Sequence, residues 1–226
     1  VKGLRIEIFQ DLYERYSKLA LSYPSDRPIA IRGLESRLLN TFGTTGGAGI
    51  FDTYLHRSLL WQRAGNSLKA ITSFRNVRVP SWSWMAYNGP IRYLAVPFGA
   101  VAWSEHVVSP FSRDGKQDVV AGNGRGMEHI AGSPLELEAP VWDLLDAESG
   151  QRVMDEPSRS FSRPILCVIL GKSKISSMEE SRTHWVLLVC SSTVVDDITV
   201  YERVGVGVFE QRHIALDNPL RRVRIR

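Results

Sequence analysis

The residues able to do chemistry are few, and their spacing assembles no reaction. Five histidines (His56, His106, His129, His184 and His213) are scattered through the chain, whereas metal ligands are read from His, Cys or carboxylates recurring at short fixed intervals. The two cysteines lie in apolar runs, Cys167 in PILCVILG and Cys190 in WVLLVCSS. A Cys-His nucleophile made from either thiol and His184 needs only proximity in the fold, but desolvation in an apolar strand raises a thiol pKa and makes it inert. No Gly-X-Ser-X-Gly elbow is present. The glycine clusters GTTGGAG at 43–49 and GNGRG at 122–126 offer bare amides of the kind that bind phosphate at a helix start. The first lacks the Gly-Lys-Ser/Thr ending and a preceding strand, and reads as a flexible connector; the second misses the dinucleotide spacing. The expectation is no catalytic residue, no metal and no cofactor.

Two aromatic and basic patterns remain. In PSWSWMAYNGPI, residues 80–91, a strand would place Trp82 and Trp84 on one face and Ser81 and Ser83 on the other. Asn88-Gly89-Pro90 then breaks the run, giving strand, turn, strand. The tryptophans serve either as core, with each indole N–H needing a partner, or as an exposed ligand platform. The C-terminal RRVRIR alternates, with Arg222, Arg224 and Arg226 opposite Val223 and Ile225. This reads as a strand with one solvated basic face that guards an edge, or as a phosphate-contacting ribbon.

These residues must be positioned by a chain of 226 residues with 43% hydrophobic and 23% charged residues, which is enough for a substantial core. Apolar runs fall short of the roughly 20 residues a membrane helix needs. The apolar setting of the two cysteines indicates buried, reduced thiols and an intracellular, cytoplasmic protein. Lys and Arg outnumber Asp and Glu by 14 to 7 in residues 1–113, and the balance reverses to 14 against 17 in residues 114–226. Without a Lys/Arg block, the basic half reads as a solvated helix face, which argues against nucleic acid as a partner.

Helical spacing from Glu7 through Phe9, Leu12, Tyr13, Tyr16, Leu19 and Ala20 predicts a helix ending before Pro24. A second runs from a cap at Ser25 or Asp26 to a stop at Gly43, and a third carries Phe51, Leu55, Leu59 and Leu60. Beyond Ala70 the texture is of short strands, at 77–84, 93–108, 134–142, 164–170, 184–190 and 198–209. Polar loops separate them at 109–118, 121–133, 146–160 and 172–181. The expected fold is α+β, with a helical segment over 1–70 packed on an antiparallel, sandwich- or barrel-like β-rich segment over 71–226 in one compact unit.

PSWSWMAYNGPI resembles the Pro-Ser-Trp-Ser-Trp-Ala-Ser-X-Asp-Gly-Pro-Ile signature of fungal heterokaryon-incompatibility (HET domain) proteins, with Met85-Ala86 for Ala-Ser and Asn88 for Asp. Gly49-Ile50-Phe51, Leu55 and Leu59-Leu60-Trp61 are similar to that family's Gly-Leu-Trp-X3-Leu-X3-Leu-Leu-Trp pattern. YERYSKLALSYPSDRPIAIRGL resembles its Tyr-Ser-X-Arg-X-Leu-Thr and Asp-Arg-X-X-Ala-Leu-X-Gly segment, and YERVGVGVF its Tyr-X-Arg-Val-Gly motif. The resemblance singles out Gly49, Leu55, Leu59, Leu60, Trp61, Pro80, Ser81, Trp82, Ser83, Trp84, Gly89, Pro90, Tyr201, Arg203 and Gly205 as scaffold residues. It implies a non-catalytic accessory region for nonself recognition and programmed cell death. Its partners would be a HET domain preceding Val1 in the same chain and an unidentified recognition protein. Two alternatives stand beside it: an enzyme, as a hydrolase or part of a nucleotide-cleaving site, and a nucleic-acid-binding module using the basic half and the C-terminal arginines. A pocket joining His184 to a cysteine or carboxylate would favour the enzyme.

Overall fold

The computed structural model describes residues 2–72, 74, 79–111, 135–146, 148–176, 178–195, 198–217 and 221–226. Helix α1 (Lys2–Ser17) buries Ile6, Phe9, Tyr13 and Ser17 at three- and four-residue spacing. A 3-10 turn at Pro24–Asp26 leads into α2 (Arg27–Ala30), and α3 (Arg32–Phe42) is stopped by Gly43 in the left-handed conformation. The expected third helix shortens to α4 (Leu55–Leu59), after a 3-10 turn at Asp52–Tyr54. Its intended first turn is taken by a hairpin of β1 (Gly46–Gly47) and β2 (Ile50–Phe51). GTTGGAG is therefore not a flexible connector, since residues 46–49 are buried.

Strand β3 (Trp61–Arg63) and β4 (Lys69–Ala70) return to the far side of the motif segment. There β5 (Tyr87–Asn88) pairs with β4 and β6 (Ile91–Tyr93) with β3, on either side of the expected Asn-Gly-Pro turn. The strand expected over 77–84 does not form in its described part. Ser81 and Trp82 make a turn, Ser83 Oγ accepts the Met85 N–H at 3.1 Å, and Trp84–Ala86 is a 3-10 turn. The serine bonding its own backbone competes with a strand ladder. The run expected over 93–108 is likewise broken into β6 and β7 (Val101–Trp103).

The remainder is a closed barrel. Strands β8 (Leu137–Asp143), β10 (Ile165–Ser173), β11 (Thr183–Val195), β12 (Ile198–Glu210) and β13 (Arg221–Ile225) follow one another around it. The barrel closes through antiparallel β13–β8 pairing over five residues and a short parallel seam, Val200 opposite Arg224 and Tyr201 opposite Ile225. Two expectations change here. The sheet is not wholly antiparallel, and RRVRIR lies between two strands rather than at an edge. Inside 146–160, expected as a loop, β9 (Gln151–Met154) pairs with β12.

The fold is thus α+β, with α-helices, among the described residues, confined to the first 59. One core fills the barrel with Leu137, Val168, Leu187, Val206 and Ile225, and extends to Leu55, Leu59, Leu60 and Trp82. A second, rich in aromatic rings, holds α1 and α3 against Phe51, Trp61, Trp84 and Tyr93, with Phe9 and Phe51 at 4.9 Å. Residues 84–93 belong to this second core, so the division at residue 70 does not coincide with the packing. The loop expected at 121–133, most of that at 109–118, and His129 lie outside the described residues.

Candidate functional site

The segments singled out in the sequence meet at the junction of the two cores. Trp82 and Trp84, expected on one strand face, point apart: Trp82 enters the barrel core and Trp84 the aromatic one. Both are buried and the Nε1 atoms of both lack a hydrogen-bond partner, whereas Trp61 Nε1 donates to the Trp82 carbonyl at 2.9 Å. Gly49, at φ 85°, lies under the Trp84 indole, where a Cβ would approach Nε1 to 2.5 Å. Only glycine satisfies both the backbone angle and the contact. Gly89 packs beside Leu68, and Pro90 accepts the Ala64 N–H at 2.9 Å.

Arg203 holds this junction together. Strand β12 sends its wholly buried side chain toward α4 and β3, where it meets the Asp155 carboxylate through Nε at 2.9 Å and Nη2 at 3.2 Å. It also donates to the Leu59 carbonyl at 2.8 Å and to the Trp61 carbonyl, and its guanidinium lies 3.2 Å from the centre of the Trp61 indole. Burial pushes the Asp155 carboxyl up, while Arg203 and Arg63 pull it down. Asp155 escaped the sequence reading because it sits in a stretch read as a loop. The sequence signal was the Gln-Arg-Val-Met run before it, which is now β9. Gly205 admits that strand, since a Cβ there would lie 2.5 Å from the Val153 carbonyl oxygen.

Ser81 completes the junction at the barrel seam. Its Oγ accepts the Arg203 N–H at 2.9 Å and donates to the Arg226 carbonyl, next to the direct bond from Arg226 N–H to the Tyr201 carbonyl at 2.9 Å. A side-chain hydroxyl thus occupies the place of one rung of the parallel ladder. Pro80, just before it, accepts the Ser83 N–H at 3.0 Å and closes the turn. Apart from the two unpartnered indole N–H groups, the polar groups of Trp61, Ser81, Ser83 and Arg203 are taken up in hydrogen bonds within the junction.

A cleft of about 420 Å³ opens on the outside of the barrel, lined by Trp103, Ser104, Trp142, Gly171, Lys172 and His184 among others. His184 is 2% exposed and its Nδ1 lies 2.9 Å from the Arg182 carbonyl. The carbonyl can only accept, so Nδ1 is the N–H donor of that contact. Burial lowers its pKa most, the contact with the Arg182 carbonyl opposes that, and the Lys172 and Arg182 charges lower it further. Glu179 also lines the cleft, but the recorded ring partner of His184 is the Arg182 carbonyl, neither carboxylate nor thiol. Cys167 and Cys190 are free and buried on the other part of that outer face, with burial pushing the Cys167 thiol up to about 12. The Cys-His constellation is not assembled. Neither tryptophan of this cleft was marked by the sequence, because each belongs to a different strand.

Among the described residues, no three His, Cys, Asp or Glu side chains gather where they could hold a metal ion. Nor is any helix long and apolar enough to cross a membrane. The C-terminal arginines do not form a free basic ribbon. Arg224 lies 3.7 and 3.6 Å from Glu136 and Glu138, Arg226 pairs with Glu136, and Arg222 donates to the His106 carbonyl at 3.3 Å. In the basic N-terminal half, Arg27 and Arg57 are buried rather than presented to a partner. Comparison of the chain with family models, curated proteins and solved structures finds no match.

Proposed function

We propose that this chain is the non-catalytic accessory region of a fungal heterokaryon-incompatibility protein, serving nonself recognition and the control of a death effector carried by a preceding HET domain. One observation carries the reading. The segments that resemble the family are far apart in sequence, yet they meet in one buried junction built around Arg203, Ser81, Trp61, Trp82 and Trp84. Motifs held together by packing belong to a scaffold, and a scaffold whose polar groups are mostly taken up in its own hydrogen bonds acts through what it binds.

The test is inducible expression of residues 1–226 in a fungal host, alone and joined to a HET domain. The expected result is a folded, harmless fragment and growth arrest only when the HET domain is present. Arrest caused by the fragment alone, and retained after His184, Cys167 and Cys190 are replaced, would overturn the division of labour.

A further inference from the structure

Three separate segments bring exposed apolar side chains to one face of the molecule. Phe98, in the loop between β6 and β7, is 51% exposed, with its ring 3.7 Å from the Cβ position of Gly3 in α1. The loop therefore rests on the start of the helix. Leu4, next along α1, is 62% exposed, and Ile8 follows it one turn later. On the other side of Phe98, Lys174 ties the turn after β10 to the same loop, donating from its backbone N–H to the Ala100 carbonyl and from Nζ to the Gly99 carbonyl, each at 2.9 Å. Ile175, its neighbour, is 83% exposed, more than any other large apolar side chain among the described residues.

The charges here are mostly positive. Lys2 and Lys174, adjacent in the chain to Gly3 and Ile175, are exposed, and Arg5 is half-buried. The Arg57 guanidinium lies 4.4 Å from the centre of the Phe98 ring, held by the Val96 and Pro97 carbonyls at 3.0 and 3.1 Å rather than by a carboxylate. The first turn of α1 has no acid, and neither does the loop at 94–100. The acids along these segments are Glu7, Asp11, which pairs with Arg15 at 2.8 Å, and the Glu179-Glu180 pair, of which Glu179 is 3.8 Å from Arg182.

This composition distinguishes between partners. Protein interfaces are depleted in Lys, and their dominant residues are Trp, Tyr and Arg. Leu, Ile and Phe standing out beside lysines suit the boundary between headgroups and acyl chains, where anionic lipids attract the basic groups. We propose that this face docks on the surface of an anionic phospholipid bilayer, with Leu4, Phe98 and Ile175 entering the headgroup boundary and Lys2 and Lys174 facing the lipid charges. This goes beyond the accessory-region reading and does not rest on it, since it concerns residues outside the junction and is measured on the purified protein.

The test is co-sedimentation of the protein with vesicles of equal parts phosphatidylserine and phosphatidylcholine, beside vesicles of phosphatidylcholine alone. The protein should bind the mixed vesicles at least about tenfold more tightly. Salt at about 1 M, which shortens screening to about 3 Å, should release it. Ile175→Ser should weaken binding severalfold at an unchanged melting temperature, and Phe98→Ser about tenfold where its melting curve shows a folded protein. Lys2→Gln combined with Lys174→Gln should cost more than about tenfold. Leu19→Ser, at a residue 54% exposed just beyond the other end of α1, should change nothing. Failure to bind the mixed vesicles at low salt, equal binding to phosphatidylcholine, or unchanged binding in both Ile175→Ser and the lysine double variant overturns the proposal. So does a loss in Leu19→Ser as large as in Ile175→Ser. Self-association that the same replacements abolish, without vesicle binding, would assign the face to a second copy of the chain and overturn it as well.

Discussion

Arg203 in the barrel and Arg27 in the helical layer are both buried guanidiniums, at 0% and 1% exposure, yet only Arg203 faces a carboxylate. Arg27 donates to the Ser17 carbonyl at 3.2 Å and to Asn88 Oδ1 at 3.3 Å, its Nε has no partner, and the Tyr16 and Trp84 rings lie about 6 Å from it. The helical layer also buries Glu35, whose Oε1 accepts the Gly49 N–H at 2.7 Å. Burial pushes that carboxyl up to about 7, against weaker opposing pulls from backbone N–H groups and Arg32. The barrel thus compensates its buried charge with another charge, whereas the helical layer relies on neutral dipoles and rings. Breaking the ion pair should therefore be the largest insult to the barrel, whereas in the helical layer the buried carboxyl of Glu35 should give a marked pH dependence.

The strongest break is Asp155→Ala. It strands Arg203 in a wholly buried site, and removing one member of a buried pair costs about 3–5 kcal/mol. Urea denaturation should show that loss, a large share of a stability of about 5–15 kcal/mol. The double replacement Arg203→Met with Asp155→Leu should recover much of it, because two apolar groups leave no buried charge behind. A double variant as unstable as Asp155→Ala would show that the carbonyl contacts of Arg203, not its charge balance, hold the junction.

Much of this contrast was hidden in the sequence. The periodicity of Phe9, Leu12, Tyr13 and Tyr16 marked α1, Gly43 marked the end of α3, and the alternation of RRVRIR correctly placed Val223 and Ile225 inside. Local patterns failed where tertiary partners decide. The Ser83 hydroxyl bonding Met85 two residues on is a local alternative that alternation alone does not reveal, and which core each of Trp82 and Trp84 enters is decided by tertiary packing. Asp155 and Arg203 are separated by 48 residues, and no spacing rule joins them. The cleft was invisible for the same reason, since Trp103, Trp142 and His184 come from three strands.

The helical layer should reveal its uncompensated acid through pH. A folded-state pKa near 7 against an ordinary 4.5 means that the folded protein binds the Glu35 proton more tightly than the unfolded chain does. Stability from this group is then present below about pH 4.5, declines as pH rises, and is fully lost above about 7. The span corresponds to roughly 3 kcal/mol. Glu35→Gln keeps an oxygen for the Gly49 N–H without a charge, so it should match the parent near pH 4.5 and exceed it by about 3 kcal/mol at pH 8. Denaturation midpoints measured across that range should converge at the acid end; parallel profiles would mean that Glu35 stays ionised or neutral throughout.

The smallest effect should come from supplying Arg27 with the charge it lacks. Asn88 stands at the turn before Gly89, and its side-chain oxygen already accepts from Arg27 Nη2. Asn88→Asp leaves the shape unchanged and replaces a neutral acceptor by a carboxylate, which strengthens the hydrogen bond through charge. Residue 88 is exposed, so water and salt screen much of the gain, leaving about 0.5–1 kcal/mol. For a chain of this size that corresponds to a rise of about 1–4 °C in melting temperature. The rise should shrink in 1 M salt, where charges are screened within about 3 Å. A lower melting temperature at low salt would mean that the rings and carbonyls around Arg27 already suffice, and the contrast between the two buried arginines would lose its energetic meaning.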